Sequence, residues 1–248
     1  MNNLIILQAR TGSSRLPGKV LMPVNGKPMI EWQIKRIQSA NIAPIVLATT
    51  TDKSDDKLVK IAESLAIEVF RGSKNDVVQR FEKIVLIKDP DYFIRITGDC
   101  PLIMPKLLND MNEIYKDSPK DYFSNTMKTT FPDGLDVEFV SKHAFKKMLR
   151  MQLNNQEREH VTLALYKHPE LFTISNYENK IDYGNLRWTV DYPEDLEFVR
   201  RIYKHFKGRE INFDFQDVVD LLDSGKVPEN ELSYKFRNVS LQNEPSEN

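Results

Sequence analysis

The sequence predicts an α/β fold in which a mostly parallel sheet is flanked by helices. Apolar runs typical of buried strands alternate with segments that carry apolar residues at helical spacing. The alternation continues through most of the 248 residues, and 40% hydrophobic residues can build one substantial core. Polar segments directly follow three of the apolar runs. We therefore expect a binding site at the carboxyl edge of the sheet, where open α/β sheets hold their ligands.

Seven elements are predicted in the first hundred residues. The first is a strand at residues 4–7, and a polar loop follows it. A helix opens at Pro28, since proline is favoured at helix starts, and its apolar residues recur at helical spacing. Strand, helix, strand, helix and strand then follow at residues 45–48, 55–65, 68–70, 77–87 and 92–96. Strands that alternate with helices in this way form parallel sheets.

The pattern becomes less regular between about 120 and 185, where short strand-like pieces occur at 122–124 and 135–140. We interpret this region as an insert that binds an acceptor and provides subunit contacts in a homodimer. A strand at 186–190 then precedes a helix that runs to Phe206, and a last helix covers about 215–222. Residues 1–225 are predicted to form one domain. Residues 226–248, rich in Asn, Glu, Ser and Pro, predict a polar and partly disordered tail.

Composition argues against several classes of protein. Lys and Arg number 35 and Asp and Glu 36, so the net charge of -1 gives no general attraction to nucleic acid or to anionic membranes. The single cysteine, Cys100, excludes an intramolecular disulfide and fits a reducing compartment. No run reaches the roughly 18 apolar residues that a membrane span needs, and the first residues lack a secretory pattern. The expected location is the cytoplasm, without nucleic-acid or membrane partners.

The loop at residues 8–19 follows the first strand and is the most informative part of the chain. It combines glycines and small hydroxyl residues with three cations, which are Arg10, Arg15 and Lys19. Glycines let the backbone approach an anion, while hydroxyl and N–H groups donate to phosphate oxygens. The loop is not a Walker A loop, because Gly12 and Gly18 enclose five residues and Val20 stands where Ser or Thr would bind magnesium. It predicts polyphosphate binding; an ordinary basic turn is the alternative.

Two aspartates follow predicted strands. Asp99 comes just after the strand at 92–96, and Asp191 directly follows the strand at 186–190. Magnesium prefers one or two carboxylates together with substrate oxygens, so both are candidate metal ligands. A turn aspartate that bonds its own backbone is the alternative for Asp99, and a helix N-cap is the alternative for Asp191. If the strands are parallel, both aspartates lie at the same sheet edge as the basic loop.

Two motifs carry a family resemblance. The segments RLPGK at 15–19 and VNGKPMI at 24–30 resemble the signature of sugar-acid cytidylyltransferases, in particular the SpsF-like branch. That branch is related to the enzymes that make CMP-activated ketodeoxyoctonate and sialic acids. The resemblance extends over about 3–205 and is most distinctive at 10–29, 95–102, 131–138, 158–160 and 187–196. It implies a nucleotidyltransferase fold of the GT-A or Rossmann-like type, with a small inserted region that contains β-strands.

The resemblance also implies a reaction and a set of site residues. An acceptor oxygen would attack the α-phosphate of CTP, and pyrophosphate would leave, in surface polysaccharide or glycan biosynthesis. Mg²⁺ on Asp99 and Asp191 would bridge acceptor and α-phosphate, while the three loop cations would hold the β- and γ-phosphates. The nucleotide-binding residues would be Gln8, Ala9, Arg10, Thr11, Gly12, Ser13, Arg15, Lys19, Thr49, Thr97 and Gly98. Such threonine hydroxyls also commonly bond local backbone, and nothing in the residues themselves excludes UTP.

The acceptor is harder to predict. The expected contacts for an anionic, sugar-like acceptor are Arg71, Asp133, Asp136, Glu138, Arg158 and His160. Arg158 and His160 are predicted to open a helix, where a cation suits a carboxylate or phosphate. A solvated helix start and an acidic surface turn are the alternatives for these segments. Arg71 and Arg80 belong to a further stretch that resembles the SpsF-like pattern, so we expect it to border the active site.

Two other functions fit a sheet of this type. A GT-A-type glycosyltransferase would bind a finished nucleotide sugar, usually through an Asp-x-Asp metal motif, but Asp133 and Asp136 have the wrong spacing for that motif. A non-catalytic partner that binds nucleotide sugars would need no pair of metal-binding carboxylates. Both Asp99 and Asp191 are present, which favours the transferase.

Overall fold

The computed structural model describes residues 2–233. Its strands are β1 (Asn3–Gln8), β2 (Pro23–Val24), β3 (Lys27–Pro28), β4 (Ile45–Thr50), β5 (Glu68–Gly72), β6 (Tyr92–Thr97), β7 (Tyr122–Ser124), β8 (Glu138–Ser141) and β9 (Ile174–Asn176). Its α-helices are α1 (Met29–Ala40), α2 (Asp56–Ser64), α3 (Val77–Lys88), α4 (Pro105–Asp117), α5 (Lys142–Met148), α6 (Asn155–Glu159), α7 (Leu163–Lys167), α8 (Pro193–His205) and α9 (Phe215–Asp223). Short 3₁₀ helices cover Lys19–Leu21 and Lys53–Asp55.

The main sheet is mixed, with seven strands in the order β5-β4-β1-β6-β8-β7-β9. Strands β5, β4, β1 and β6 are mutually parallel, while β8 runs antiparallel to both of its neighbours. The predicted mostly parallel sheet is therefore confirmed. The chain passes from β1 to β4 on one side and later returns to β6 on the other. Open α/β sheets bind ligands at such a reversal of strand order, outside the carboxyl ends of the strands, so we expect the site beside β1 and β6.

Helices cover both faces of the sheet, because alternate side chains of each strand enter different cores. Ile5 and Leu7 of β1 pack into the core formed with α1, α4 and α8. Leu4 and Ile6 pack into the opposite core, formed with α3 and α5. Burial on both faces explains why β1 and β4 read as continuous apolar runs rather than as alternating ones. The sheet is consequently a fixed support for the loops at its edge.

The predicted strand at 186–190 is wrong, since this segment makes only an isolated bridge between Asp133 and Arg187. It is held instead by single backbone contacts, among them the bond from Val190 N to Asp99 O at 2.9 Å. The segment passes so close to Gly134 that a Cβ there would lie 2.4 Å from the Thr189 nitrogen. The predicted strand at 135–140 is also shorter than expected, since β8 begins only at Glu138. The residues before it do not join the sheet, because Asp133 bonds to the backbone of residues 186–188.

The predicted polar tail begins later than residue 226. Val227, Asn230 and Leu232 are buried against the domain. The Asn230 amide donates to Arg187 O at 3.0 Å and to Asp195 Oδ1 at 2.8 Å. Residues 226–233 thus support the segment that carries Asp191. The disorder predicted for the rest of the tail concerns residues 234–248, which lie outside the described part of the chain.

Helix α4 was not predicted, although its apolar residues are buried against α1. Across residues 2–233, none of the helices combines the length and the apolar character that crossing a membrane requires.

Candidate active site

A cavity of about 520 Å³ lies at the carboxyl ends of β1 and β6. The loops after these strands form one wall, and residues of the predicted insert form the other. Most of the predicted site residues line it, namely Gln8, Ala9, Arg10, Gly12, Ser13, Arg15, Lys19, Thr97, Gly98, Asp99, Asp133, Asp136, Glu138, His160 and Asp191. Residues from five separate segments of the sequence therefore meet at one site.

The loops after β1 and β6 touch at Gly98. Its backbone N–H donates to Gln8 O at 2.8 Å. A Cβ at this position would lie 2.4 Å from the Ala9 Cβ, which is too close for any side chain. Only glycine allows the two backbones to approach so closely, and this approach brings Asp99 against the basic loop.

Lys19 lies at the centre of the site. Its Nζ donates to Asp99 Oδ2 at 3.0 Å, to Asp191 Oδ1 at 3.0 Å and to Val190 O at 2.7 Å. Burial alone would lower the pKa of Lys19, but the two carboxylates outweigh it and raise the pKa above its ordinary value. Burial would likewise raise the pKa of Asp99, but Lys19 more than offsets this and holds it well below its usual range. Lysine and aspartate are consequently both charged at neutral pH.

Asp191 contacts three cations. Its carboxylate accepts from Arg15 Nη2 at 2.7 Å and from Arg187 Nη2 at 3.0 Å, in addition to Lys19. The alternative interpretation of Asp191 as the N-cap of α8 does not hold, because the N-cap is Tyr192 and its backbone is bonded by Asp195 in the first turn of the helix. The Asp195 carboxylate accepts from the backbone nitrogens of Asp191 at 2.8 Å and of Tyr192 at 3.0 Å. The Asp191 side chain is thus directed to the cavity.

Arg187 is the residue that sequence reasoning missed. It is 3% exposed and pairs with Asp133 and Asp195 at 2.9 Å each, as well as with Asp191. Burial alone would lower the pKa of Arg187, but these three carboxylates raise it above its ordinary value. The one signal in the sequence was its spacing of four residues from Asp191, at which an arginine and an aspartate can form an ion pair. Arg187 orients Asp191 and ties it to Asp133 on the opposite wall.

The carboxylate pair fits a divalent cation that is completed by substrate oxygens. Asp99 and Asp191 converge on one cationic group, the ammonium of Lys19. No cluster of three or more His, Cys, Asp or Glu side chains suited to a metal occurs within residues 2–233. Magnesium is commonly bound through only one or two carboxylates plus substrate phosphates, so two aspartates are a sufficient donor set.

The opposite wall contains a hydrogen-bonded network around Glu138. Its carboxylate pairs with Arg95 and accepts from Tyr122 Oη at 2.7 Å and from Thr162 Oγ1 at 2.5 Å. Arg95 Nε in turn donates to Gln8 Oε1 at 3.2 Å. Glu138 lines the cavity as expected, but its oxygens are already bound within the protein. It therefore shapes this wall and links it to the end of β1.

Four predicted residues lie outside the cavity, and three of them, Thr11, Thr49 and Arg71, bond to residues within 50–56 instead. Thr11 N donates to Asp55 Oδ1 at 2.7 Å, and Thr49 Oγ1 donates to Asp55 Oδ2 at 3.0 Å. Arg71 pairs with Asp56 at 2.7 Å and donates to the Thr50 carbonyl at 2.8 Å. The hydroxyls of Thr11 and Thr49 both donate to the Asp55 carboxylate beneath the loop, rather than to local backbone.

The prediction that Arg158 and His160 open a helix is wrong. Helix α6 begins after Asn154, whose side chain accepts from Glu157 N at 3.0 Å in a capping box. Arg158 therefore lies in the last turn, where it pairs with Asp76 at 2.9 Å outside the cavity. His160 follows the helix and does line the cavity. Only one of the two residues is placed to meet an acceptor.

Comparisons with known proteins agree with this geometry. A model of the cytidylyltransferase family matches residues 4–213. The spore coat polysaccharide biosynthesis protein SpsF of Bacillus subtilis is 32% identical, over 90% of this chain and 95% of that protein. A 3-deoxy-manno-octulosonate cytidylyltransferase of Hydrogenovibrio crunogenus is 31% identical, over 59% of this chain and 56% of that enzyme.

A solved structure shows the same fold. The cytidylyltransferase of Leptospira borgpetersenii superimposes with a TM-score of 0.87 at 30% identity, over 91% of this chain and 95% of that one. The family model includes the loops after β1 and β6, since it begins within β1 and ends beyond α8. The family model, the relatives and the shared fold lead to one conclusion: the chain belongs to the cytidylyltransferase family.

Proposed function

We propose that this chain transfers CMP from CTP to an acidic sugar with release of pyrophosphate, in the biosynthesis of a surface polysaccharide or glycan. The observation that carries the proposal is the meeting of the basic loop with Asp99 and Asp191 at the sheet edge. The names of the relatives support the acceptor class, because one acts on 3-deoxy-manno-octulosonate and another serves polysaccharide biosynthesis.

Charge stabilisation is the chemistry that the site is equipped for. An acceptor hydroxyl attacks the α-phosphate, the bond to the β-phosphate breaks, and negative charge accumulates on the departing pyrophosphate. Arg10, Arg15 and Lys19 line the cavity on one wall, where they neutralise that charge. Fixed placement of both reactants supplies the rest of the rate, so no protein nucleophile is needed.

Asp99 and Asp191 are the residues that would hold Mg²⁺. When bound, such an ion polarises phosphoryl oxygens and lowers the barrier to attack. Lys19 contacts both carboxylates, so its ammonium would compete with a bound cation for them. A triphosphate offers Lys19 new anionic partners. Metal and nucleotide binding are therefore coupled through this lysine.

The acceptor lies on the wall formed by the insert. His160, Asp136 and the Tyr166 side chain line that wall, and hydrogen-bonding groups of this kind suit a hydroxyl-rich ligand. A homodimer formed through residues 120–185 and a cytoplasmic location complete the proposal. Exposed apolar side chains support the dimer, since Met127 and Ile181 of this region are 44% and 61% exposed.

Pyrophosphate release tests the function directly. The purified protein is incubated with each of CTP, UTP, ATP and GTP, with Mg²⁺ and a panel of acidic sugars. We expect release with CTP and at least one sugar acid, and little with the other triphosphates. Transfer of sugar from a nucleotide sugar, without pyrophosphate release from any triphosphate, would contradict the proposal.

A further inference from the structure

Two arginines in this fold are almost completely buried without a carboxylate partner among residues 2–233. Arg36 is 0% and Arg80 is 1% exposed. Burial lowers the pKa of each to about 10. An unpaired buried cation is costly, so each needs a compensating set of contacts. Arg36 and Arg80 differ in how many of these contacts the protein provides.

Arg36 is fully bonded within the protein. Its Nε donates to Ile103 O at 2.8 Å, its Nη1 to Glu210 O at 2.9 Å and its Nη2 to Phe213 O at 2.9 Å. The guanidinium also lies over the Phe213 ring, 3.9 Å from its centre. Every nitrogen has an acceptor, so Arg36 is a structural tie between α1 and the loop before α9.

Arg80 is bonded incompletely and lines the cavity. Its Nη1 donates to the carbonyls of Ser73 and Lys74, but its Nε has no hydrogen-bond partner. Arg10 lies beside it, because Arg10 Nη1 donates to the same Lys74 carbonyl at 3.3 Å. Arg10 has one weak ion pair, with Glu159 at 3.7 Å between two half-exposed side chains. Two cations thus gather at one corner of the cavity. Asp55 and Asp76 act on Arg80 electrostatically, but neither forms an ion pair with it within residues 2–233.

We propose that Arg80 and Arg10 together bind a phosphate group in the polyphosphate tail of the nucleotide, an inference that rests on the proposed function. A guanidinium presents its donors in a planar fork that matches phosphate oxygens. A phosphate at this corner offsets the repulsion between the two cations and accepts hydrogen bonds from the guanidinium groups that line the cavity. Arg80 then belongs with the loop cations, although it comes from α3 rather than from the loop after β1.

The charge of the pair favours phosphate over the other part of the nucleotide. A cytosine base offers a neutral carbonyl oxygen, which could accept one hydrogen bond but would leave two like charges side by side. A phosphate satisfies the hydrogen bond and the charge at once. Binding measurements can tell these two acceptors apart, because inorganic pyrophosphate contains no base and cytidine contains no phosphate.

Calorimetric titration of the whole chain tests this pair. The ligands are CTP, inorganic pyrophosphate and cytidine, and the variants are Arg80→Met, Arg10→Met and, as the matched buried control, Arg36→Met. We expect Arg80→Met and Arg10→Met each to weaken CTP and pyrophosphate by about tenfold to a hundredfold, with cytidine unchanged. Arg36→Met should lower the Tm and leave the affinity of the folded protein for pyrophosphate as in wild type. Because Arg10 is exposed, its variant reports on the pair even if Arg80→Met fails to fold.

Three results would overturn the inference. Wild-type affinity for pyrophosphate in Arg80→Met would remove Arg80 from the phosphate site. A loss confined to CTP and cytidine would assign Arg80 to the base. A loss in Arg80→Met without one in Arg10→Met would mark Arg80 as a support for the loop at Ser73 and Lys74. Wild-type protein that binds neither CTP nor pyrophosphate would overturn the proposed function, and this inference with it.

Discussion

The two walls of the cavity both contain ion pairs, but they differ in how open those pairs are. On the phosphate wall, which consists of the loops after β1 and β6 together with Asp191, two of the pairs have one partly exposed member. Arg15 and Asp99 keep 33% and 29% of their side-chain surface exposed, while their partners Asp191 and Lys19 keep 12% and 10%. On the acceptor wall, Arg95 and Glu138 keep only 12% and 8%. Glu138 also has hydroxyl donors on its second oxygen. The phosphate wall can therefore exchange partners with a ligand, whereas the acceptor wall is a fixed frame.

This difference separates residues that act on a ligand from residues that hold the site in place. Lys19 and Asp191 are charged, adjacent and reachable from the cavity, so a polyphosphate can take over their contacts. Replacing one of them should change binding or turnover more than folding. Replacing a member of the Glu138 network should do the opposite, because a buried partner would be left unpaired.

The largest effect is expected for the aspartates on the phosphate wall. Asp99→Asn and Asp191→Asn keep the side-chain size but remove a ligand charge for the metal. Loss of about 3 kcal/mol of transition-state stabilisation lowers kcat roughly a hundredfold or more, which pyrophosphate release measures. The far-ultraviolet circular dichroism spectrum should stay unchanged. Normal turnover in Asp191→Asn together with early melting would instead make Asp191 a structural residue like Asp195.

A stability effect is expected on the acceptor wall. Glu138→Gln leaves Arg95 buried without a counter-charge, and breaking a buried pair costs about 3 kcal/mol or more. Urea unfolding should show the lower free energy of unfolding as a lower midpoint. Asp99→Asn, measured in parallel, should lose clearly less. If both variants lost the same stability, the distinction between an exchangeable and a fixed wall would be wrong.

The pH dependence of stability sharpens the comparison further. The raised pKa of Lys19 means that its contribution is complete below its unfolded pKa of about 10.4 and is lost as pH rises through the folded pKa. The lowered pKa of Asp99 means that its contribution is complete above an unfolded pKa of about 3.9 and is lost as pH falls through the folded pKa. Without Lys19, burial raises the pKa of Asp99 in the variant, so the difference in unfolding free energy between wild type and Lys19→Met should increase with pH from about 4 to 6 and stay constant from there to about pH 9. A steep change near pH 7, measured by urea titration, would contradict this assignment.

The smallest effect is expected for Arg158→Ala. Arg158 lies outside the cavity, and its exposed pair with Asp76 is worth about 0–1 kcal/mol. The acceptor KM should stay within about twofold of wild type, which corresponds to less than 1 kcal/mol. His160→Ala is the matched comparison, since His160 lines the acceptor wall and its loss should raise that KM several-fold. Equal effects of both variants on KM would extend the acceptor site to α6.

The phosphate wall was predictable because its signals are local. Arg10, Arg15 and Lys19 follow β1 within one loop, and Asp99 follows β6 directly. The carboxyl ends of neighbouring parallel strands meet at one edge, so placing both loops together needed only the correct strand order. Asp191 was predicted at this edge because a strand was expected before it. Asp191 does lie there, but the segment before it is held by a hydrogen bond from Val190 N to Asp99 O rather than by strand pairing.

The errors concern side chains whose partners lie elsewhere in the fold. Thr11 and Thr49 looked like ligand contacts because nothing local reveals that Asp55 accepts from both. Arg158 was misplaced because the capping box at Asn154 starts the helix earlier than the apolar pattern indicates. Arg187 was passed over because its three carboxylates converge only in the folded chain.

A crystal structure with CTP and Mn²⁺ tests the central claim most directly, because Mn²⁺ can be located by its anomalous scattering and can stand in for Mg²⁺. The account predicts the triphosphate against the loop at 10–19, manganese in contact with Asp99 and Asp191, and Lys19 turned from at least one of these carboxylates to a phosphate. A nucleotide bound outside this cavity, or a metal that contacts neither aspartate while Lys19 keeps both, would contradict it.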